Sequence, residues 1–341
     1  MVNSKILTVG IPTYNGSTLI STALDSVLKQ ISSGLETRVD ILISDNASSD
    51  GVGEIIHAYQ ANHPTLIQYS RNDSNIGFDR NVDILFKKAS GKYIWMLGDD
   101  DALEEGALLY VLDILDKYPS LMAIQVNFDK YDLKLEKIVQ QVSIPEDLYC
   151  RDAETFLINS KGRWGAVSSL IINKDAWNSE DLSNGFGSQI TFAFALFKIL
   201  RRGDSYIIKQ PLVKVRDGSE HNVKRGDGDA LLRIALASGT LYHQMRDMGY
   251  SSKIIRWHLK ADRPYAYNAI PLAKLWGIKN KLVVVKKLIA VHNGPVLWLK
   301  WFPVVFCPDP IFKIIYLFKK AVSSKTRPIE YKLKKLFRKP R

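Results

Sequence analysis

Tyr93-Ile-Trp-Met-Leu-Gly-Asp-Asp-Asp-Ala-Leu103 joins five apolar or aromatic residues to a glycine and three adjacent carboxylates. The apolar run reads as a short strand buried on both faces. Asp99, Asp100 and Asp101 stand at its tip, where like charges repel unless a cation, a basic side chain or open water relieves them. A hard cation such as Mg²⁺ or Mn²⁺ takes oxygen ligands and bridges a few carboxylates to a substrate's phosphates. The bland alternative is a solvated acidic turn capping a helix that starts near Glu104. What precedes the triplet bears on that choice.

Upstream, residues 5–11 form an apolar strand that stops at Pro12, and Thr13-Tyr-Asn-Gly16 makes a turn. Apolar residues then recur at helical spacing from Leu19 to Ile31, with Ser17 placed to cap the helix. Residues 39–44 are a second strand ended by Asp45-Asn-Ala-Ser-Ser-Asp-Gly51, and residues 52–61 suit a helix. A short third strand at 66–69 leads through a polar loop, 71–81, into a helix over about 80–89. Strands alternating with helices at this spacing predict an α/β domain on a mostly parallel sheet. Its functional loops gather at the strands' carboxyl ends. Neither Gly-x-Gly-x-x-Gly nor a Walker loop occurs, which argues against dinucleotide dehydrogenases and P-loop enzymes.

Length and charge set the frame. The 341 residues suffice for one large domain with an appendage, or for two domains. Cys150 and Cys307 are far apart and show no zinc spacing, which points weakly to a reducing compartment. The net charge of +12 is uneven: residues 279–341 hold 16 Lys or Arg against two acids, so residues 1–278 are close to neutral at −2. A nucleic-acid partner is therefore not expected. The first residues lack the basic and long apolar regions of a signal peptide, so a cytoplasmic protein is expected.

Four motifs in order over about 110 residues resemble the family 2 glycosyltransferases: Val-Gly-Ile-Pro-Thr-Tyr-Asn at 9–15, Ile-Ser-Asp-Asn-Ala-Ser-Ser-Asp-Gly at 43–51, Asn75-Ile-Gly-Phe-Asp-Arg-Asn81, and Leu-Gly-Asp-Asp-Asp-Ala-Leu at 97–103 followed by Gly106-Ala-Leu. The resemblance implies a GT-A fold, Rossmann-like and flanked by helices, with a nucleotide-sugar donor and a Mg²⁺ or Mn²⁺ ion. It implies that Pro12, Thr13, Tyr14 and Asn15 with Asp45 and Asn46 hold the nucleoside, and that Asn75, Gly77 and Arg80 line the donor pocket. Aligning Leu97, Leu103, Gly106 and Leu108 without a gap puts Gly98 where the first Asp of the usual Asp-x-Asp stands. Asp100 is then the metal ligand, and Asp99 and Asp101 are ribose, water or supporting partners. A second register would use Asp99 and Asp101, whose side chains share a face if the backbone is extended.

Downstream, residues 121–128 and 167–172 read as strands, and Gly185-Phe-Gly-Ser-Gln-Ile-Thr leads into an apolar helix. Many members of the family carry an acidic pair there that includes the catalytic base, whereas this sequence has Ser188 and Gln189. Inverting transfer needs a group that takes the acceptor hydroxyl's proton. Glu180, Asp181 and Asp217 are the carboxylates to consider. Arg216 or His221 is placed to approach the diphosphate or metal. The Ser188-Gln189 substitution, with Ser168-Ser-Leu-Ile, Gln210-Pro-Leu-Val and Arg263-Pro-Tyr, is similar to the abequosyltransferase branch of O-antigen assembly enzymes. That likeness implies a lipid-linked oligosaccharide acceptor.

The expected organisation is a catalytic domain over 1–218, a helical region over 219–295 and a basic amphipathic tail over 296–341. In the tail, Ile329, Leu333, Leu336 and Phe337 share one helical face amid Lys332, Lys334, Lys335, Arg338 and Lys339. Trp298 and Trp301 are the residue type that favours a headgroup layer. The tail is expected to hold the protein at an anionic membrane surface, on the cytoplasmic face of the inner membrane. Two rival readings are a sugar nucleotidyltransferase and a non-catalytic basic membrane adaptor. The first would need a glycine-rich basic loop after the first strand, which Pro12-Thr-Tyr-Asn-Gly16 is not.

Overall fold

The computed structural model describes residues 5–31, 34–217, 228–279, 281–292 and 297–316. The chain divides into two compact units, 1–222 with 244–255, and 223–243 with 256–341. In the first unit the strands are β1 (Leu7–Thr13), β2 (Val39–Asp45), β3 (Ile67–Arg71), β4 (Tyr93–Met96), β5 (Ala102–Leu103), β6 (Ala123–Tyr131), β7 (Ile138–Gln140), β8 (Leu148–Cys150), β9 (Leu170–Asn173) and β10 (Ser205–Arg216). Its helices are α1 (Ile20–Leu28), α2 (Val52–Asn62), α3 (Phe78–Lys88), α4 (Ala107–Lys117), α5 (Ala153–Ser160), α6 (Lys174–Asn178) and α7 (Thr191–Ile199).

The strands form one sheet in the order β3-β2-β1-β4-β9-β6-β10-β5, with β7 beside β6 and β8 beside β10. Every residue of β1, β2 and β4 is buried, which accounts for their mainly apolar composition. β1 pairs in parallel with both β2 and β4, with Thr13 opposite Asp45 and Gly10 opposite Met96. That register sets the loops after these three strands side by side. Sequence reasoning ended the first strand at Pro12, but the strand continues to Thr13. The carbonyl of Gly10 accepts the Leu97 N–H, so this parity of β1 faces β4, and β4 ends before it would reach Pro12. The missing proline N–H therefore costs no ladder bond.

The sheet departs from pure parallel order at β9, which runs antiparallel to both β4 and β6. Residues 167–172, read as one strand, are a 3₁₀ turn over Val167–Ser169 followed by β9. Ser17 is not the cap of α1 either. Its N–H bonds the Asp50 carboxylate at 2.8 Å, and the helix begins at Ile20 without a side-chain cap. Glu104 starts no helix: Ala102 and Leu103 pair with β10, and α4 begins at Ala107.

Much of the second unit is helical, with α8 (Gly228–Gln244), α9 (Ser252–Trp276), α10 (Lys281–His292) and α11 (Phe302–Phe306), some of whose ends fall in the first. Leu232, Leu236, Ile270, Leu288, Trp301 and Val305 build its core. Lys274 is buried there, donating to the Val305 carbonyl at 3.0 Å and pairing with Asp309 at 2.6 Å. Trp301, expected at a headgroup layer, is buried in this core. Trp298, Leu299, Ile311, Ile314 and Ile315 are exposed. Among the described residues no helix is long and apolar enough to cross a membrane. The face formed by Ile329 to Phe337 lies outside the described residues.

Candidate active site

The carboxyl ends of β1, β2 and β4 meet around a cavity of about 280 Å³. Pro12, Thr13, Tyr14, Asn46, Asn75, Gly77, Asp99 and Asp100 line it, eight of the residues singled out from sequence. Gly98, Val167 and Gln189 join them.

Thr13 ends β1, and its hydroxyl donates to Asp99 Oδ2 at 2.5 Å, tying the first strand to the acidic loop. Gly16 is required beside that bond: a Cβ there would come within 2.3 Å of Asp99 Oδ2 and 2.7 Å of Thr13 Oγ1. Tyr14 is exposed. Asn15 joins the loops after β1 and β2: its N–H bonds Ser48 Oγ, and its Oδ1 takes the Ser49 N–H, both at 2.9 Å.

Asp45, fully buried at the end of β2, accepts the Ser48 N–H at 2.9 Å and the Ser48 hydroxyl at 2.5 Å on one oxygen. The other takes the Tyr69 hydroxyl at 2.7 Å and lies 3.3 Å from the Arg71 guanidinium. Burial, and then the Asp45 carboxylate, push the Tyr69 phenol well above its ordinary range. Asp45 does not line the cavity; it fixes the loop that does. Asn46 is the hub of this wall. Its amide donates to Asn75 Oδ1 at 2.8 Å, and its Oδ1 accepts the Ile76 N–H at 2.9 Å. Gly77 has φ +85°, a left-handed conformation that glycine adopts without strain. Arg80 is turned away and stacks on Phe186 at 4.8 Å.

After β4 the three carboxylates separate. Asp99 and Asp100 reach the cavity, while Asp101 folds beneath it. Asp101 Oδ2 accepts the Ser168 hydroxyl at 2.5 Å, and its Oδ1 accepts the Arg216 N–H at 2.9 Å. Ser168 Oγ in turn accepts the Gly98 N–H at 2.8 Å. Burial, then the neighbouring Asp100 charge, raise Asp101 to about 7, with the Ser168 and Arg216 bonds working the other way. Both oxygens of Asp101, a supporting partner in the first register and a metal ligand in the second, hold the loop together. Arg216 ties the loop through backbone carbonyls: its Nε donates to the Asp100 carbonyl at 2.7 Å and its Nη1 to the Leu133 carbonyl.

The three carboxylates considered as bases lie elsewhere. Glu180 pairs with Arg202 at 3.3 Å, and Asp181 accepts the Ser183 N–H at 2.9 Å. Asp217 is exposed, 3.9 Å from Lys130. None of them lines the cavity. His221 falls outside the described residues.

Sequence reasoning assigned no role to Asp79, Gly16, Ser168 or Gln189. Asp79 is buried and accepts the Gln189 N–H at 2.8 Å and the Thr191 N–H at 3.0 Å. Only its place within the Asn75 to Asn81 motif hinted at a role, because its partners are about 110 residues away.

This fold and cavity define a glycosyltransferase of GT-A architecture. Residues 8–171 match the family described as Glycosyl transferase family 2. The abequosyltransferase RfbV of Salmonella typhimurium is 27% identical over 282 residues, 77% of this chain and 82% of that protein. Among solved structures, S. aureus TarS 1-349 in complex with UDP-GlcNAc is similar with a TM-score of 0.52 at 14% identity, covering 84% of this chain and 89% of that one. The mannosyltransferase PcManGT from Pyrobaculum calidifontis, in complex with GDP-Man and Mn²⁺, has a TM-score of 0.50 at 17% identity, covering 88% and 83%. These two likenesses concern the fold.

Proposed function

We propose that this glycosyltransferase moves a sugar from a nucleotide-sugar donor to a lipid-linked oligosaccharide in the assembly of a surface polysaccharide of O-antigen type. The observation that carries the donor reading is the meeting of the β1, β2 and β4 ends around one cavity, with Asp99 and Asp100 in its wall. The catalytic domain spans 1–218. Pro12, Thr13, Tyr14 and Asn46 face the nucleoside, held in shape by Asn15 and Asp45, and Asn75 and Gly77 form the wall beyond.

The residues present fit a divalent cation. Asp99 and Asp100 offer hard oxygen donors, and the Thr13 hydroxyl fixes one of them. Among the described residues no group of three or more His, Cys, Asp or Glu could hold a metal ion. Two carboxylates completed by diphosphate oxygens is the way Mg²⁺ and Mn²⁺ bind beside nucleotides. When bound, the cation supplies positive charge for the departing diphosphate. Asp100 and Asp99 would hold it, and Ser168, Asp101 and Arg216 keep their loop in place. The acceptor hydroxyl attacks the anomeric carbon as the carbon–oxygen bond to the diphosphate breaks, the nucleoside diphosphate departing and the hydroxyl proton passing to water. RfbV's name and the similarity over 282 residues support the O-antigen assignment.

The tail, 296–341, brings this domain to the cytoplasmic face of the inner membrane. Exposed Trp298, Leu299, Ile311, Ile314 and Ile315 and the net +14 of residues 279–341 support that reading, since each cation near an anionic surface contributes about 1 kcal/mol.

A thermal-shift screen of UDP, GDP, CDP and dTDP, each with and without Mn²⁺, tests the proposal. One nucleotide should raise the melting temperature, and only with the metal; at 100-fold over its Kd it adds about 2.7 kcal/mol. No shift with any of the four would contradict the donor reading.

A further inference from the structure

We infer that Gln189 reads the sugar of the donor and that Asp79 is the residue that positions it. The inference rests on the proposed reading of the cavity as a nucleotide-sugar site and deepens it.

Gln189 sits at φ +66°, a left-handed conformation strained for a non-glycine residue. Such a conformation persists when its surroundings over-determine it, and here they do. Asp79, in the first turn of α3, is 3% exposed and takes the Gln189 and Thr191 N–H groups on its two oxygens. The Thr191 N–H is one that α7 itself leaves unbonded, and the Gln189 N–H lies just before the helix. The Ser188 hydroxyl accepts the Ile190 N–H at 3.1 Å, fixing the intervening peptide.

The result is a residue in the cavity wall whose side-chain amide makes no hydrogen bond among the described residues. The other amides there are committed. Asn46 and Asn75 bond each other, and Asn81 bonds Ser44 through both ends of its side chain. A buried-rim amide offers two donors and one acceptor without charge. It pairs with a hydroxyl or carbonyl, does not repel a diphosphate, and takes no proton from an attacking hydroxyl. Asp99 and Asp100 claim the diphosphate end, and Pro12 to Tyr14 the nucleoside. The group left for Gln189 is what the diphosphate carries.

The test compares binding of the four nucleoside diphosphates with that of UDP-glucose, UDP-GlcNAc, GDP-mannose, CDP-glucose and dTDP-glucose, all with Mn²⁺. In Gln189→Ala and Gln189→Gly, the diphosphate that wild type binds should keep its Kd within about twofold. The matching nucleotide sugar should lose about tenfold, the loss of one hydrogen-bond partner. Glycine relaxes the φ +66° backbone, so Gln189→Gly should melt no lower than wild type, which separates lost recognition from misfolding. Asp79→Asn should show the same split, raising the donor KM more than it lowers kcat. The inference is overturned if the diphosphate weakens as much as the nucleotide sugar, if neither weakens in Gln189→Gly, or if Gln189→Glu raises turnover. If wild type binds none of the four diphosphates, the underlying reading falls instead.

Discussion

Ser168→Ala should loosen the acidic loop without touching the cavity. Ser168 is fully buried, and its hydroxyl makes two bonds at once, to Asp101 at 2.5 Å and from the Gly98 N–H at 2.8 Å. A hydrogen bond to a charged group contributes about 1.5–3 kcal/mol. Leaving the Gly98 amide unsatisfied in a buried site adds about 1–3 kcal/mol. The sum, roughly 2.5–6 kcal/mol, is an upper range, because a water admitted to the space of the lost oxygen would recover part of it. Gly98 has no room to compensate, since a Cβ there would lie 2.8 Å from Asp100 Oδ1 and 3.2 Å from Asp101 Oδ2. Urea denaturation should show a lowered midpoint with an unchanged slope, and Mn²⁺-dependent nucleotide binding should weaken in parallel. A loss under about 1 kcal/mol with normal nucleotide binding would refute the idea that Ser168 holds the loop.

Glu180→Gln and Asp181→Asn should each leave turnover within about threefold of wild type, because the two carboxylates serve Arg202 and the Ser183 amide outside the cavity; a loss of orders of magnitude in steady-state assays would reinstate one of them as the base. Burial pushes the His258 imidazole down to about 4, so the folded chain binds its proton less readily than the unfolded chain. Stability from this group is complete above pH 6.5 and is lost as the pH falls toward 4, by up to about 3 kcal/mol; denaturation midpoints between pH 7 and 5 should fall in wild type and flatten in His258→Phe.

The parts of the fold that the sequence made visible were local ones. Mainly apolar stretches at residues 5–11, 39–44 and 93–97 announced buried strands, and the helical spacing between them announced crossovers. The antiparallel β9 was hidden, because no periodicity marks the direction in which a strand joins its neighbours. The 3₁₀ turn at Ser168 was hidden for a related reason: Val-Ser-Ser-Leu-Ile-Ile suits a strand, and only the distant Asp101 gives the serine cause to turn. The same limit governs the site. Thr13, Asn46, Asp99 and Asp100 stand out as polar residues at the tips of buried strands, and the structure gathers them in one cavity. Asp45 and Asp101 carry the same signature but are consumed in holding loops, a distinction that depends on Tyr69, Arg71, Ser168 and Arg216. The bond from Gln189 to Asp79 spans 110 residues and leaves no trace in either segment alone.

Titration calorimetry of the bound nucleoside diphosphate into wild type, Asp99→Asn and Asp100→Asn, with and without Mn²⁺, bears most directly on the claim that this cavity is a metal-assisted donor site. Wild type should bind with Mn²⁺ and lose at least about tenfold without it, while Asp100→Asn should bind weakly and equally in both conditions with an unchanged melting temperature. Asp99→Asn should fall between them. Wild-type affinity and metal dependence retained in both variants would contradict the account.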